Sequence, residues 1–172
     1  MMSRPLSIIV CLGILAWPND ITDPPAPPRE PFSVTRSLEL NDSEKKIARE
    51  VERRMREHGF SDALIAGALV NAYAESGLHV GAVGREGERG IFQLHPRGLG
   101  SRMTHEQMHD VGSSVDRIAW ALRRSKKIME LESRGATPTE HAAAFCTEIE
   151  RPSDKQLRAR QRTRLLKKML IN

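Results

Sequence analysis

The chain has 172 residues, enough for one domain with a real core and too few for two comfortable ones. Charged residues at 28% argue against a polytopic membrane protein, and with seven aromatic residues in all the core must be built from Ala, Leu, Ile, Val and Met. The net charge of +5 is concentrated: eight basic residues and one acidic residue stand from Arg151 onward, so the rest, with 19 basic and 21 acidic residues, is slightly negative.

Residues 1–17 carry one positive charge, Arg4, and an uncharged run from Leu6 to Trp17. As a helix that run would reach roughly 18 Å, short of the roughly 30 Å hydrocarbon core of a bilayer. It fits the apolar region of a secretory signal, although Ile14 spoils the cleavage site; an uncleaved anchor or a buried apolar tail are the alternatives. Residues 18–32 follow as a spacer holding six of the ten prolines, stiff and extended. A single folded domain is expected over 33–172.

The expected class is mainly α, a helical domain with a small β-hairpin lining a cleft. Asp42 or Ser43 caps a first helix that runs to about Glu57 and stops at Gly59. Ser61 caps a second, whose Leu64, Ile65, Ala68, Leu69 and Ala72 form one stripe and which Gly77 ends. Glycines 81, 84, 87 and 90 make the next stretch a poor helix, so turns and short strands are expected up to the apolar run from Ile91. Short helical spacing covers Thr104–Asp110 and longer spacing Ser114–Glu132. Thr137-Pro138 opens a helix to about Ile149. Ser153 or Asp154 caps the last, to about Leu170, with Leu157, Leu165 and Leu166 docked and Arg and Lys outward.

Three constellations carry chemistry. The first is Glu75, in the last turn of its helix. The negative helix end and the apolar stripe beside it both favour a protonated carboxyl, the state a general acid needs. Gln93 offers a donor and an acceptor to a neutral polar substrate. Glu86 or Glu88 supplies a second carboxylate, and two carboxyls across a cleft are the equipment of glycoside hydrolysis.

The second is His105-Glu106-Gln107-Met108-His109, the spacing of a helical zinc site with Glu106 as base and a third ligand from Glu130, Glu132, Glu140 or Glu148. The short frame between Gly100 and Gly112, and the charged Asp110, favour surface histidines, and no metal or other cofactor is expected. A zinc endopeptidase on peptide stems, betrayed by chelator sensitivity, is the competing enzyme; a non-catalytic wall-binding protein is the competing non-enzyme.

The third is the basic last helix. It lacks aromatic stacking partners, so an anionic wall or membrane polymer suits it better than nucleic acid. Cys11 and Cys146 make no disulfide framework, and Cys146, despite His141 nearby, reads as a small buried residue rather than a nucleophile.

The segment "AESGLH…GAVGREGERGIFQLHPRG", then a long helix, then "AAAFCTEIERPSD", resembles the phage tail lysozyme family over residues 60–170. The resemblance implies a lysozyme-like fold and cleavage of the β-1,4 bond between amino sugars of peptidoglycan, by hydrolysis or lytic transglycosylation. It makes Glu75 the general acid, places the hairpin carboxylate on Glu88, and maps the Glu-Arg-Pro element onto Glu150, Arg151 and Pro152 as cleft wall or scaffold. Tyr73, Ser76, Gln93, His95, Glu150 and Arg151 are the substrate-binding candidates. A phage virion or the bacterial periplasm is the implied setting, with virion or tail proteins as further partners and residues 6–17 as a membrane contact.

Overall fold

The structure, a computed structural model, describes Thr35 and residues 39–169; the expected leader and spacer lie outside them. The elements are α1 (Asp42–Glu57), α2 (Asp62–Ser76), α3 (His105–His109), α4 (Val111–Arg124), α5 (Lys126–Ser133), α6 (Pro138–Phe145), a π-helical turn (Cys146–Glu150) and α7 (Lys155–Met169).

Capping chemistry sets most of the boundaries. Asn41, one residue earlier than expected, caps α1, because Glu44 at the third helical position reaches back to its amide (2.8 Å) while the Asn41 side chain takes the Glu44 N–H (3.0 Å). Ser61 caps α2 and Gly77 closes it in the left-handed conformation, φ 61°. The long helix expected over Ser114–Glu132 is two helices. Ser125 leaves helical geometry (ψ 105°) and its hydroxyl caps α5. The helix opened by Pro138 widens after Phe145 into the π turn.

The centre of the molecule is α2. Nine consecutive residues, Leu64 to Ala72, are buried, so the expected stripe is a helix enclosed on nearly every side. Gly67 lets α6 press against it: a Cβ there would stand 2.8 Å from the Ala142 nitrogen. The outer helix α1 is tied to α4 by Arg54, which forks onto Asp116 at 2.9 and 2.7 Å, with His58 adding a contact at 2.8 Å. On α7 the inward face carries Arg162, Leu166 and Met169, one stripe at helical spacing. Leu157, expected to dock, is 56% exposed.

No strand forms among the described residues, and the expected β-hairpin is not seen as one. Residues 79–94 are turns joined by two isolated antiparallel bridges, Val83 with Arg89 and Arg89 with Leu94. The reason is visible in the burial pattern. A two-sided strand would alternate, but Ile91, Phe92 and Leu94 all turn into the core, and Gln93 between them adopts φ 46°. Gly90, at φ 71°, passes so close to the Met108 carbonyl that a Cβ would collide with it.

Candidate active site

A cleft of about 1520 Å³ runs between the end of α2, the glycine-rich turns, α4 and α5, and the π turn. Of the residues singled out in the sequence, Glu75, Glu88, Gln93, His95, Glu150 and Arg151 line it. Tyr73 and Ser76 are not among its lining residues. Tyr73 packs partly buried against the core. Ser76 holds the cleft together from outside it. Its hydroxyl lies 2.9 Å from the Ile91 carbonyl and 3.1 Å from that of Ala72, donating between them and pinning the glycine-rich segment to the helix end.

Glu75 is not the isolated carboxylate that helix periodicity suggests. Arg162, 4% exposed, reaches across from α7 and donates from Nη2 to Glu75 Oε1 and, at 3.2 Å, to Glu150 Oε2. The Arg162 Nε donates to Asn71 Oδ1 at 3.1 Å. Asn71 is itself fully buried and oriented by donations to the Gly67 carbonyl (2.7 Å) and the Ala142 carbonyl (3.0 Å). Neither Asn71 nor Arg162 was a sequence candidate. The available signal was an Arg on the same helical stripe as Leu166 and Met169, and an Asn inside the apolar run of α2.

The π turn delivers Glu150. Its extra residue per turn, closed by the Arg151 N–H on the Cys146 carbonyl (3.0 Å) and by φ 51° at Arg151, ends the helix at the cleft. Burial pushes the Glu150 carboxyl up to about 7; Arg162 pulls against this and the negative charge of Glu75 adds to it. Cys146, behind it, has its thiol pushed up to about 12 by burial, with the Glu150 charge contributing, which leaves it a buried apolar residue and no nucleophile.

Across the cleft, Glu88 folds back so that Oε2 accepts the Glu86 N–H at 3.0 Å. Gln93 donates to the Gly90 carbonyl at 2.9 Å. Glu86, Glu88 and His95 bring ligand-type atoms within 4.8 Å of one another. However, His95 Nδ1 accepts the Arg97 N–H (3.0 Å), so the neutral ring carries its proton on Nε2, the nitrogen 4.0 Å from Glu86. That nitrogen faces Glu86 beyond hydrogen-bond distance. The far wall presents Trp120, 48% exposed, with the Arg117 and Arg124 guanidinium groups 4.3 and 4.9 Å from its ring centre.

The zinc-like pentapeptide is built into a helix of five residues. His105 is exposed, whereas His109 places Nδ1 2.6 Å from the Val80 carbonyl and Nε2 3.5 Å from Arg89. Two of the carboxylates considered as a third ligand are engaged elsewhere. Glu132 accepts from the Ser61 N–H (3.1 Å) and hydroxyl, and Glu140 caps α6 while pairing with Arg134.

The phage tail lysozyme family model matches residues 46–165. That span begins within α1, ends within α7, and includes Glu75, the glycine-rich turns, Glu150 and Arg162. No curated protein and no solved structure matches the chain. The match covers well over half of the sequence, and the chain therefore belongs to the phage tail lysozyme family, whose function is peptidoglycan degradation of the lysozyme type.

Proposed function

We propose that this chain is a glycosidase that cleaves the β-1,4 bond between the amino sugars of peptidoglycan, with Glu75 as the general acid. The observation that carries this reading is the position of Glu75: it ends a core helix, is held from behind by a buried guanidinium, and opens onto a cleft with Gln93, His95 and Glu88 across from it. A glycosidic oxygen is a poor leaving group until it is protonated. A positioned carboxyl at the cleft wall supplies that proton, a contribution of about 10²–10⁴-fold. Among the carboxyls that line the cleft with Glu75, the candidates for the second role are Glu86, Glu88 and Glu150. Bond breaking ends either with water on the anomeric carbon or with an internal hydroxyl of the same sugar, giving a reducing end or an anhydro end.

A phage-associated or periplasmic location fits the family. The finer assignment is a virion-associated or exported lysin whose domain, 33–172, is carried behind the Leu6–Trp17 leader or anchor and the proline-rich spacer. Among the described residues no helix is long and apolar enough to cross a membrane. The exposed basic residues of α7 suit an anionic wall polymer, and tail or virion proteins are the further partners of this setting.

Mass spectrometry of the products from purified murein tests the reaction. Fragments cut between sugars, with reducing or anhydro ends, support the glycosidase and tell its two forms apart. Fragments cut only within peptide stems would overturn it in favour of a peptidase.

A further inference from the structure

We propose that Glu150 is the second carboxyl of this site, and that Arg162 is the positioning residue through which Glu150 and Glu75 share a single proton. This rests on the reading of Glu75 as the acid and adds to it a partner that the glycine-rich segment was expected to supply.

Both carboxyls bond one nitrogen, Arg162 Nη2, which holds them within two hydrogen-bond lengths of each other. That nitrogen is fixed. The guanidinium is buried, its Nε is bonded to Asn71, and Asn71 is bonded to backbone carbonyls of α2 and α6. Three helices thus set the spacing of the pair. The groups acting most strongly on Glu150 are Arg162 from α7, Glu75 from α2 and the Cys146 thiol of its own turn.

One guanidinium cannot neutralise two carboxylates, and the surplus negative charge is costly at Glu150, whose side chain is 11% exposed, whereas Glu75 at 25% opens onto the cleft. Glu150 Oε1 sharpens this, being buried with no N–H or hydroxyl donor among the described residues; the Cys146 thiol, a weak donor, is the other group beside the carboxyl. A single proton on the pair removes the surplus. When a glycan is bound, that proton passes through Glu75 to the glycosidic oxygen, and the electrons of the breaking C–O bond go to the same oxygen. The attacking hydroxyl, from water or from the sugar itself, bonds the anomeric carbon, and its released proton returns to the pair.

The test is the pH dependence of kcat/KM on solubilised murein for the full chain and for Glu150→Gln, Arg162→Gln, Arg162→Lys and Glu75→Gln, each checked for its helical circular dichroism. Removing the like charge in Glu150→Gln should move the alkaline limb to lower pH by about one unit or more, together with a lower maximal kcat/KM. Arg162→Gln, which removes the neutralising charge, should move that limb the opposite way, and Arg162→Lys should restore it toward the parent. Should Arg162→Gln not fold, the Glu150→Gln and Arg162→Lys profiles decide. A folded Glu150→Gln whose activity falls with the limb unmoved overturns the proposal and leaves Glu150 a structural residue. If Glu75→Gln is inactive in that case, only the proposal fails; if Glu75→Gln stays active, the underlying assignment of the acid fails as well.

Discussion

At the scale of single residues, a carboxylate's partners decide what it can do. Glu88 spends one oxygen on the Glu86 amide, a contact that a neutral amide oxygen can also make. Glu88→Gln should therefore keep the local turn and retain activity within about tenfold of the parent, well short of the loss typical of a catalytic acid–base group. A drop of the full size in murein turnover would instead make Glu88 the second carboxylate. The helix-end position of Glu75, before a glycine-rich segment, was legible in the sequence. Its partner was not, because Arg162 lies 87 residues away and looks, in sequence, like one more charge in a basic run. That partner also changes what Glu75→Gln does to stability. A carboxyl set against an apolar stripe and a negative helix end would be relieved by the substitution. Here the substitution replaces an ion pair with a buried guanidinium by a hydrogen bond from that guanidinium to a neutral amide oxygen, so the melting temperature should be level or slightly lower.

At the scale of elements, helix starts could be read closely because capping is local chemistry: Ser61, Thr104 and Thr137 each cap where a polar residue precedes an apolar pattern. What escaped depends on packing. The break at Ser125 puts Ile128 and Leu131 into the core, which a straight continuation of α4 would not require. The turns at 79–94 are shaped by what Ile91, Phe92 and Leu94 pack against, and alternation could not show that. Gly67 is the element-scale test. In sequence it is a helix-weakening residue; in the fold it is the gap into which α6 fits, with the Ala142 nitrogen and the His141 carbonyl carbon 2.8 and 2.9 Å from a would-be Cβ. Gly67→Ala gains about 0.5–1 kcal/mol of helix preference but forces α2 and α6 apart, at a cost of about 1–3 kcal/mol. Denaturant unfolding should show net destabilisation. Because α6 leads into the π turn, activity should fall with it.

At the scale of the whole molecule, the site is the place where the first, middle and last parts of the fold meet, and pH reaches stability through it. Glu150 is raised from 4.5 to about 7, so its contribution is complete below the unfolded value and is lost as pH rises through the folded one. His141, fully buried with Nε2 3.2 Å from Glu132, is lowered from 6.5 by burial, so its contribution is present above the unfolded value and is lost as pH falls through the folded one. Chemical denaturation across pH should therefore show Glu150→Gln gaining on the parent from weakly acid to neutral pH, while both keep the acid-side loss due to His141. The composition and the ordered motifs of the sequence indicated a helical murein-degrading domain. They were silent on this convergence, since no local pattern links Asn71, Glu75, Glu150 and Arg162. The measurement that bears most directly on the role of Glu75 is the rate at which Glu75→Gln degrades purified murein, compared with the parent at matched folding. A loss of about 10²-fold or more is the result expected of a general acid. A folded Glu75→Gln that still works at more than about a tenth of the parent rate would contradict the assignment on which the mechanism stands.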